Sequence, residues 1–221
     1  MISFIIPTLN ESKALESLLP RLEQDHPVAE IIVADGGSGD DTCAVAERLG
    51  ARVIRCREAS RGEQLNAGAA AATGKVLCFL HADVLPPPDA GRHVERALQD
   101  DRVVGGGFRI TYDEDHPALR LLAALSALPW RTAFYGDQGF FCRTEEFHRC
   151  GGLPGWPLFE EVALAYALAR RGRLVRIDES TQASARRFIA HGPWRQLLLN
   201  AGLWVLFHLG VSPHKLAEWY R

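Results

Sequence analysis

Short apolar runs alternate with amphipathic stretches along the first half of the chain. The apolar runs predict strands at residues 2–6, 30–35, 51–56 and 75–80. The stretches between them predict a helix at 11–24 capped by Asn10, a helix that Asp40 or Asp41 begins and Gly50 ends, and a helix at 61–72. Strands that alternate with helices in this way imply right-handed crossovers. The pattern therefore predicts an α/β fold with a mainly parallel sheet flanked by helices.

The second half of the chain has a less regular pattern. It predicts helices near 89–99, 117–127, 144–150 and 160–171, the third capped by Thr144, and strands at 103–111 and 139–142. An apolar run at 197–211 contains Asn200, Gly202 and His208 and is too short and too polar to span a bilayer. We interpret it as a packing helix, a self-association face or an interfacial membrane helix, followed by a last helix that begins at Ser212-Pro213.

Composition and charge narrow the class of protein. The chain has 221 residues, of which 47% are hydrophobic, and this is enough for one full core and one domain. Its 25 Lys and Arg residues against 27 Asp and Glu residues argue against a nucleic-acid-binding surface. The five cysteines form no CxxC pair, which fits a reducing cytosol. The N-terminal apolar run is too short for a signal peptide, so we expect a cytoplasmic protein.

Candidate ligands follow two of the predicted strands at one edge of the sheet. Asp35 ends the second strand and Asp83 follows the fourth, so both carboxylates are expected to face the crevice where open α/β sheets bind ligands. His81 precedes Asp83 by two positions, and in an extended chain both side chains would leave the same side and hold one ion.

Each of these residues also has a structural alternative. An isolated His-x-Asp more often caps a turn, and Asp35 is as often a turn-forming aspartate. Arg61, Asn66 and Lys75 are either phosphate ligands or surface groups. These alternatives stay open at the level of single residues.

Several segments, taken in order and spacing, resemble the family 2 glycosyltransferases of the GT-A fold. These are SFIIPTLNE at 3–11, VADGGSGDDT at 33–42, Arg61-Gly62 with Asn66 and Gly68, and FLHAD at 79–83. The FLHAD form, together with GDQGFF at 136–141 and SARRF at 184–188, is similar to a small bacterial subgroup associated with radical-SAM and selenium-domain proteins. Some members of that subgroup are labelled arsenosugar glycosyltransferases.

The resemblance implies an inverting transferase that moves a sugar from a nucleoside-diphosphate sugar to an acceptor hydroxyl with Mg²⁺ or Mn²⁺. It implies one GT-A domain, with a nucleotide-sugar-binding half at 1–110, an acceptor and catalytic half at 111–185 and a C-terminal helical extension at 186–221. The residues that it assigns to the nucleotide sugar are Pro7, Thr8, Asn10, Glu11, Asp35, Gly37, Arg61, Asn66, His81, Arg186 and Arg187. Those assigned to the acceptor are Gly107, Asp137, Gln138 and Trp156.

Metal binding and catalysis involve two departures from the family pattern. Asp83 is expected to hold the metal on the diphosphate, with His81 as a secondary ligand where the family has the first aspartate of D-x-D. Glu161 is expected to be the general base and Glu160 a supporting residue, although the family usually has aspartate in place of Glu161. Acidic residues in the first turn of a helix also have a purely structural explanation in the helix dipole.

Arg186 and Arg187 are expected to lie in a mobile segment that closes over the diphosphate, because the arginine fork suits phosphate oxygens. Two other classes of protein remain open. A sugar nucleotidyltransferase would need a glycine-rich basic loop after the first strand, where Thr8-Leu9-Asn10-Glu11 stands. A non-catalytic module that binds a sugar nucleotide or a protein is the other, because a fold does not certify activity. The expected partners are a nucleoside-diphosphate sugar and a hydroxyl acceptor, with self-association or peripheral contact with the inner membrane face through the C-terminal helix.

Overall fold

In the computed structural model, which describes residues 1–26, 29–128, 134 and 136–220, eight strands form one sheet in the order β3-β2-β1-β4-β7-β6-β8-β5. The strands are β1 (Ile2–Thr8), β2 (Glu30–Asp35), β3 (Arg52–Arg55), β4 (Val76–Phe79), β5 (Val84–Leu85), β6 (Val103–Tyr112), β7 (Phe140–Arg143) and β8 (Arg173–Ala183). The helices are α1 (Ser12–Asp25), α2 (Thr42–Arg48), α3 (Arg61–Ala71), α4 (Ala90–Ala97), α5 (Pro117–Ser126), α6 (Thr144–Arg149), α7 (Glu160–Ala169), α8 (Arg186–His191), α9 (Pro193–His208) and α10 (Pro213–Tyr220). A short 3-10 helix covers Gly136–Gln138.

The first half of the sheet is parallel, as the sequence predicts. β3, β2, β1 and β4 pair in parallel, and Thr8 lies opposite Asp35 at the carboxyl ends of β1 and β2. The second half is mixed, because β7 runs antiparallel to β4 and β6, β8 runs parallel to β6, and β5 runs antiparallel to β8. The α/β class is confirmed, and the parallel half brings the ends of β1, β2 and β4 to one edge.

Strand β1 does not end before Pro7, where the sequence analysis ended it. It continues to Thr8, with Pro7 opposite Ala34 of β2. The pairing of β1 with β4 ends at Ile5 and Phe79. The missing N–H of Pro7 therefore leaves no ladder bond unmade on that side, since proline is tolerated where no backbone partner is present.

Two predicted helix caps are wrong because the side chains bond elsewhere. Asn10 adopts a left-handed φ of 57° and its Oδ1 accepts from the Gly39 N–H at 2.8 Å, so it joins two loops and does not cap α1. The Oγ1 of Thr144 donates to the Gly74 carbonyl at 2.6 Å, and no side-chain bond caps α6. Asp40 does accept from the Thr42 N–H at 3.0 Å, as expected at the start of α2.

Strand β8 and helix α8 were not predicted from the sequence. Within β8, Ile177, Thr181 and Ala183 are the buried positions, and only two of these are apolar. No alternating apolar pattern was therefore available to mark it. Helix α8 is six residues long and buries none of them, so it also lacks an apolar face.

Three buried apolar clusters hold the elements together. Two contain the side chains of the central strands with those of α1, α3, α4 and α7. The third joins Leu158, Phe159 and Val162 around the start of α7 to Leu203 of α9 and Leu216 of α10. The C-terminal helices therefore pack beside the first turn of α7, which carries Glu160 and Glu161. Within the described ranges, no helix combines the length and the hydropathy that a membrane span requires.

Candidate active site

The loops that follow β1 and β2 are bonded to each other at the carboxyl edge of the sheet. The Asn10 N–H donates to Ser38 Oγ at 2.8 Å, and the Glu11 N–H donates to Thr42 Oγ1 at 2.9 Å. The Ser12 N–H donates to Asp40 Oδ2 at 3.3 Å. These bonds hold the two loops as one wall of the crevice.

The carboxylate of Asp35 closes the turn that follows β2. Its Oδ2 accepts from the N–H groups of Gly37 at 2.9 Å and Ser38 at 3.0 Å, and its Oδ1 accepts from Ser38 Oγ and from Thr8 Oγ1. Burial opposes its ionisation, but the bonds from Ser38 and Gly37 hold the pKa of Asp35 below its ordinary value. Gly37, with a φ of 92°, supplies the conformation that this turn needs. The turn-forming alternative for Asp35 is therefore what the geometry shows.

His81 and Asp83 do not lie side by side, as the sequence analysis expected. The extended conformation ends at Phe79, and the Val84 N–H bonds to the His81 carbonyl at 3.2 Å across a turn. This turn removes the alternation on which the expectation rested. His81 Nε2 faces Glu161 Oε1 at 3.7 Å, whereas Asp83 Oδ2 faces Arg186 at 3.2 Å.

Arg186 connects two strand ends that are far apart in the sequence. Its guanidinium donates to Glu11 Oε2 at 3.0 Å, a residue 175 positions away, and forms an ion pair with Asp83. Glu11 and Asp83 follow β1 and β4, so Arg186 lies at the carboxyl edge, where the resemblance placed it. Arg187 instead covers the ring of Tyr220 at 3.8 Å and donates to the Tyr220 carbonyl at 2.6 Å. The structure therefore separates the two arginines.

Both glutamates at the start of α7 are buried. Glu160 is fully inaccessible and forms an ion pair with Arg61, which offsets the cost of its burial. Glu161 Oε2 accepts from the Gly136 N–H at 2.7 Å, and its Oε1 has no hydrogen bond, because 3.7 Å to His81 is too long for one.

The electrostatics of the Glu161 and His81 pair favour a carboxylate facing an imidazolium. Burial opposes ionisation of Glu161, but His81, Arg61 and the Gly136 N–H hold its pKa below the ordinary value. Burial likewise opposes protonation of His81, but Glu161 raises the pKa of this imidazole. A deprotonated Glu161 is the form that a general base requires.

Asp137 adds a second acidic group to the same region. Its Oδ1 is buried and has no hydrogen-bond partner. Burial, reinforced by Glu161 and Asp83 and opposed by His81 and Arg61, raises the pKa of Asp137 to about 6. Asp137 therefore exchanges a proton near neutral pH, close to Glu161 and Asp83.

Several predicted site residues are held by contacts within the protein or lie away from the crevice. The amide of Asn66 is used at both ends, because it donates to the Leu153 carbonyl and accepts from the Leu153 N–H, both at 2.9 Å. Trp156 packs edge-on against Phe207 of α9. Lys75 precedes β4 while Asp83 follows it, so the two lie at opposite ends of the strand.

Three further predicted residues are buried. Thr8 and Gln138 are buried, and a Cβ on Gly107 would meet the Phe134 ring and the Gln138 carbonyl. Gly136 was not singled out as a site residue, although a Cβ there would collide with His81 Nε2 and Glu161 Oε1. Only glycine leaves room at this position for His81 and Glu161. The signal in the sequence that could have identified Gly136 was its position in the GDQGFF segment.

A divalent metal has a limited set of ligands here. The described residues contain no group of three or more His, Cys, Asp or Glu side chains arranged to hold a metal ion. Mg²⁺ is commonly held by one or two carboxylates with substrate phosphates, so a single carboxylate is sufficient. The Asp83 side chain is 28% exposed at the crevice and fits this requirement, whereas His81 Nε2 is directed at Glu161.

An α/β sheet with acidic residues and an arginine at the carboxyl edge of its parallel strands is the arrangement that the resemblance to GT-A glycosyltransferases implied. The model of glycosyl transferase family 2 matches residues 3–155, and the chain belongs to that family. The resemblance found in the sequence is confirmed at the level of the family. The bacterial subgroup stays a prediction.

Curated relatives are similar over part of their length. Undecaprenyl-phosphate 4-deoxy-4-formamido-L-arabinose transferase of Sodalis glossinidius is 35% identical over 161 residues, which cover 66% of this chain and 49% of that protein. Glucosyl-3-phosphoglycerate synthase of Mycobacterium tuberculosis is 35% identical over 96 residues, which cover 39% of this chain and 30% of the synthase. The chain thus spans half or less of each of these relatives.

Solved structures show the same fold. Residues 1–349 of S. aureus TarS in complex with UDP superpose with a TM-score of 0.68 at 16% identity, covering 83% of this chain and 60% of that TarS fragment. The M. tuberculosis synthase in complex with Mn²⁺, UDP and glucosyl-3-phosphoglycerate gives a TM-score of 0.64 at 23% identity, covering 90% and 77%. The GT-A fold is therefore confirmed.

Proposed function

We propose that this protein is an inverting glycosyltransferase that uses a nucleoside-diphosphate sugar and a hydroxyl acceptor. The observation that carries the proposal is the position of Glu161, a buried carboxylate with one unbonded oxygen beside the edge where Arg186 joins Glu11 and Asp83. The relatives support the donor class, since UDP is bound in the TarS structure and UDP with Mn²⁺ in the synthase structure.

The donor would bind at the carboxyl edge, in the half formed by residues 1–110. The joined loops after β1 and β2 offer the groups proposed for the nucleoside, with Asp35 and Gly37 in the turn and Thr8 behind it. Arg186 is the cation nearest to Asp83 that could turn toward phosphate oxygens, and a guanidinium binds them in a bidentate manner. Because Arg186 now pairs with Glu11 and Asp83, binding of the diphosphate would exchange these contacts, which supports a segment that moves.

Asp83 would hold a Mg²⁺ or Mn²⁺ ion together with the diphosphate. Such an ion supplies Lewis-acid stabilisation of the negative charge that develops on the leaving group. Asp83 would coordinate the ion directly, because hard divalent ions prefer carboxylate oxygen. His81 would be a secondary ligand, because its Nε2 faces Glu161. Arg186 would add a second positive charge at the same place, one that arginine keeps at every physiological pH.

Glu161 would take the proton of the acceptor hydroxyl as that oxygen attacks the sugar carbon on the face opposite the diphosphate, which inverts the configuration. The Gly136 N–H fixes one carboxylate oxygen of Glu161 and leaves Oε1 free for the hydroxyl. Glu160 supports this arrangement through its ion pair with Arg61. Asp137, Gln138 and Trp156 belong to the proposed acceptor half at 111–185, Gly107 is proposed for the acceptor from the end of the preceding half, and residues 186–221 are the proposed helical extension.

The exposed surface of the C-terminal extension supports a contact with a membrane or with a second copy of the chain. Leu198 and Leu209 of this region are 71% and 75% exposed, and Leu121 and Leu125 of α5 add apolar surface. Large exposed apolar side chains grouped on neighbouring helices are typical of interaction surfaces. A cytoplasmic location with peripheral membrane contact stays a prediction.

Isothermal titration with UDP and GDP, with and without Mn²⁺, followed by a donor-hydrolysis assay with a panel of nucleoside-diphosphate sugars, tests the proposal. We expect metal-dependent nucleotide binding and slow release of nucleoside diphosphate in wild type, and the same binding without release in Glu161→Gln. Binding without hydrolysis or transfer of any donor would instead indicate a binding module. Formation of a sugar nucleotide from a nucleoside triphosphate and a sugar phosphate would indicate the nucleotidyltransferase.

A further inference from the structure

A cavity of about 250 Å³ lies among the C-terminal helices α8, α9 and α10. It is lined by His191, Arg195, Gln196, Leu199, Trp219 and Tyr220. Its volume is below the roughly 300 Å³ at which pockets for whole drug-sized ligands begin, so it suits one ionic group with a short attached segment. The lining combines a guanidinium and an imidazole with two aromatic rings, and it contains no carboxylate.

The positive charge in this cavity is available to a ligand. Within the described part of the chain, neither Arg195 nor His191 forms an ion pair or hydrogen bond with a protein group. By contrast, Arg187 is already bound to Tyr220, and Arg186 to Glu11 and Asp83. The sequence from Ser184 to Ala217 has no aspartate or glutamate, and among the described residues Glu218, which precedes Trp219, forms no ion pair with Arg195. An arginine beside a histidine favours an anionic group with several oxygens.

Tyr220 connects this cavity with the candidate catalytic residues. It packs in the same apolar cluster as Phe159, which directly precedes Glu160. It also lies close enough to Arg61 and to Tyr112 to act electrostatically on both, and Arg61 is the ion-pair partner of Glu160. The cavity therefore lies near the first turn of α7, which carries Glu160 and Glu161.

An apolar stripe extends away from the cavity along the outer face of α9. Trp194, Leu198, Val205 and Leu209 recur at the helical period on one side, and all four are exposed. Arg195 lies three residues before Leu198 in α9, and residues at this spacing are neighbours on a helix surface, so the charged lining and the stripe adjoin each other. A molecule with its anionic group at Arg195 would place an attached hydrocarbon segment along this stripe.

From this arrangement we infer that the cavity is the acceptor subsite for an amphiphilic hydroxyl compound, with a phosphate held by Arg195 and His191 and an apolar segment on Trp219 and α9. The inference rests on the proposed function and adds to it the chemical class of the acceptor. The same phosphate chemistry would be offered by a membrane lipid or by a small water-soluble phosphate, and the apolar stripe favours the lipid.

The test is isothermal titration of the 221-residue chain, saturated with UDP or GDP and Mn²⁺, using octyl phosphate below its micelle concentration as the probe. Inorganic phosphate and octanol are titrated separately. We expect octyl phosphate to bind wild type more tightly than either, and Arg195→Ala to weaken it on the order of tenfold or more, because hydrogen bonds to charged groups are among the stronger ones. Arg48→Ala, an exposed arginine of α2 paired with Glu16, is the matched control and should bind octyl phosphate like wild type.

Equal binding of octyl phosphate to wild type and Arg195→Ala, or no binding to wild type, would overturn the subsite. If inorganic phosphate bound as tightly as octyl phosphate, the inference that an apolar segment of the acceptor binds Trp219 and α9 would be overturned. Trp219→Ala gives a second measure, because it should weaken octyl phosphate without changing the affinity for inorganic phosphate. The nucleotide titration reports separately on the proposed function, since its failure appears as absent UDP and GDP binding in every variant.

Discussion

Replacing Asp137 with asparagine should change how the stability of the fold depends on pH. The pKa of Asp137 is about 6 in the folded chain, against 3.8 for the unperturbed carboxyl, because burial disfavours its charged form. Between these two pKa values the folded state binds more protons than the unfolded state, so the free energy of unfolding falls as pH rises through this window. The difference of about two pKa units corresponds to a loss of roughly 3 kcal/mol in the free energy of unfolding. This loss is complete above about pH 7 and absent below about pH 4.

The assay is urea unfolding of wild type and Asp137→Asn at several pH values from 4 to 8, without nucleotide or metal. The difference in unfolding free energy between the two proteins cancels the titrations that do not interact with Asp137, and what remains reports Asp137 together with its electrostatic neighbours His81 and Glu161. We expect asparagine to gain stability relative to aspartate by up to about 3 kcal/mol between pH 4 and pH 7. A difference that does not change with pH, or that changes in favour of aspartate, would refute the reasoning and indicate that folding does not raise the pKa of Asp137.

Three further outcomes are expected. Glu161→Gln should lower transferase turnover by about 10²–10⁴-fold with unchanged affinity for the nucleoside diphosphate, and full turnover would exclude it as the base. Asp83→Asn should abolish metal-dependent turnover while His81→Ala lowers it less, and equal losses would make histidine a direct ligand or a catalytic group. Gly68→Ala should destabilise the fold by about 1–3 kcal/mol, because the added Cβ collides with an isoleucine of β1. The control Gly202→Ala has open space and should be slightly stabilising, as urea unfolding would show.

Local patterns in the sequence were sufficient for the first half of the fold. Short apolar runs marked β1 to β4, and the helices between them required the parallel order. The same reasoning placed Asp35 and Asp83 at one edge, because parallel strands present their carboxyl ends together. The segments at 3–11, 33–42 and 79–83 were sufficient to predict the family, because each is a continuous stretch of sequence within one of the successive βα units.

Contacts between distant residues were decided only by the tertiary structure. The ion pairs of Arg186 with Glu11 and Asp83 and of Arg61 with Glu160 join residues far apart in the chain, and no local periodicity reports such pairs. The turn after β4, which directs His81 to Glu161, depends on β4 ending at Phe79. Residue types and strand ends follow from short-range chemistry that the sequence carries. The partner of each charged side chain follows from how the sheet, α7 and the C-terminal helices pack, which is a property of the whole chain.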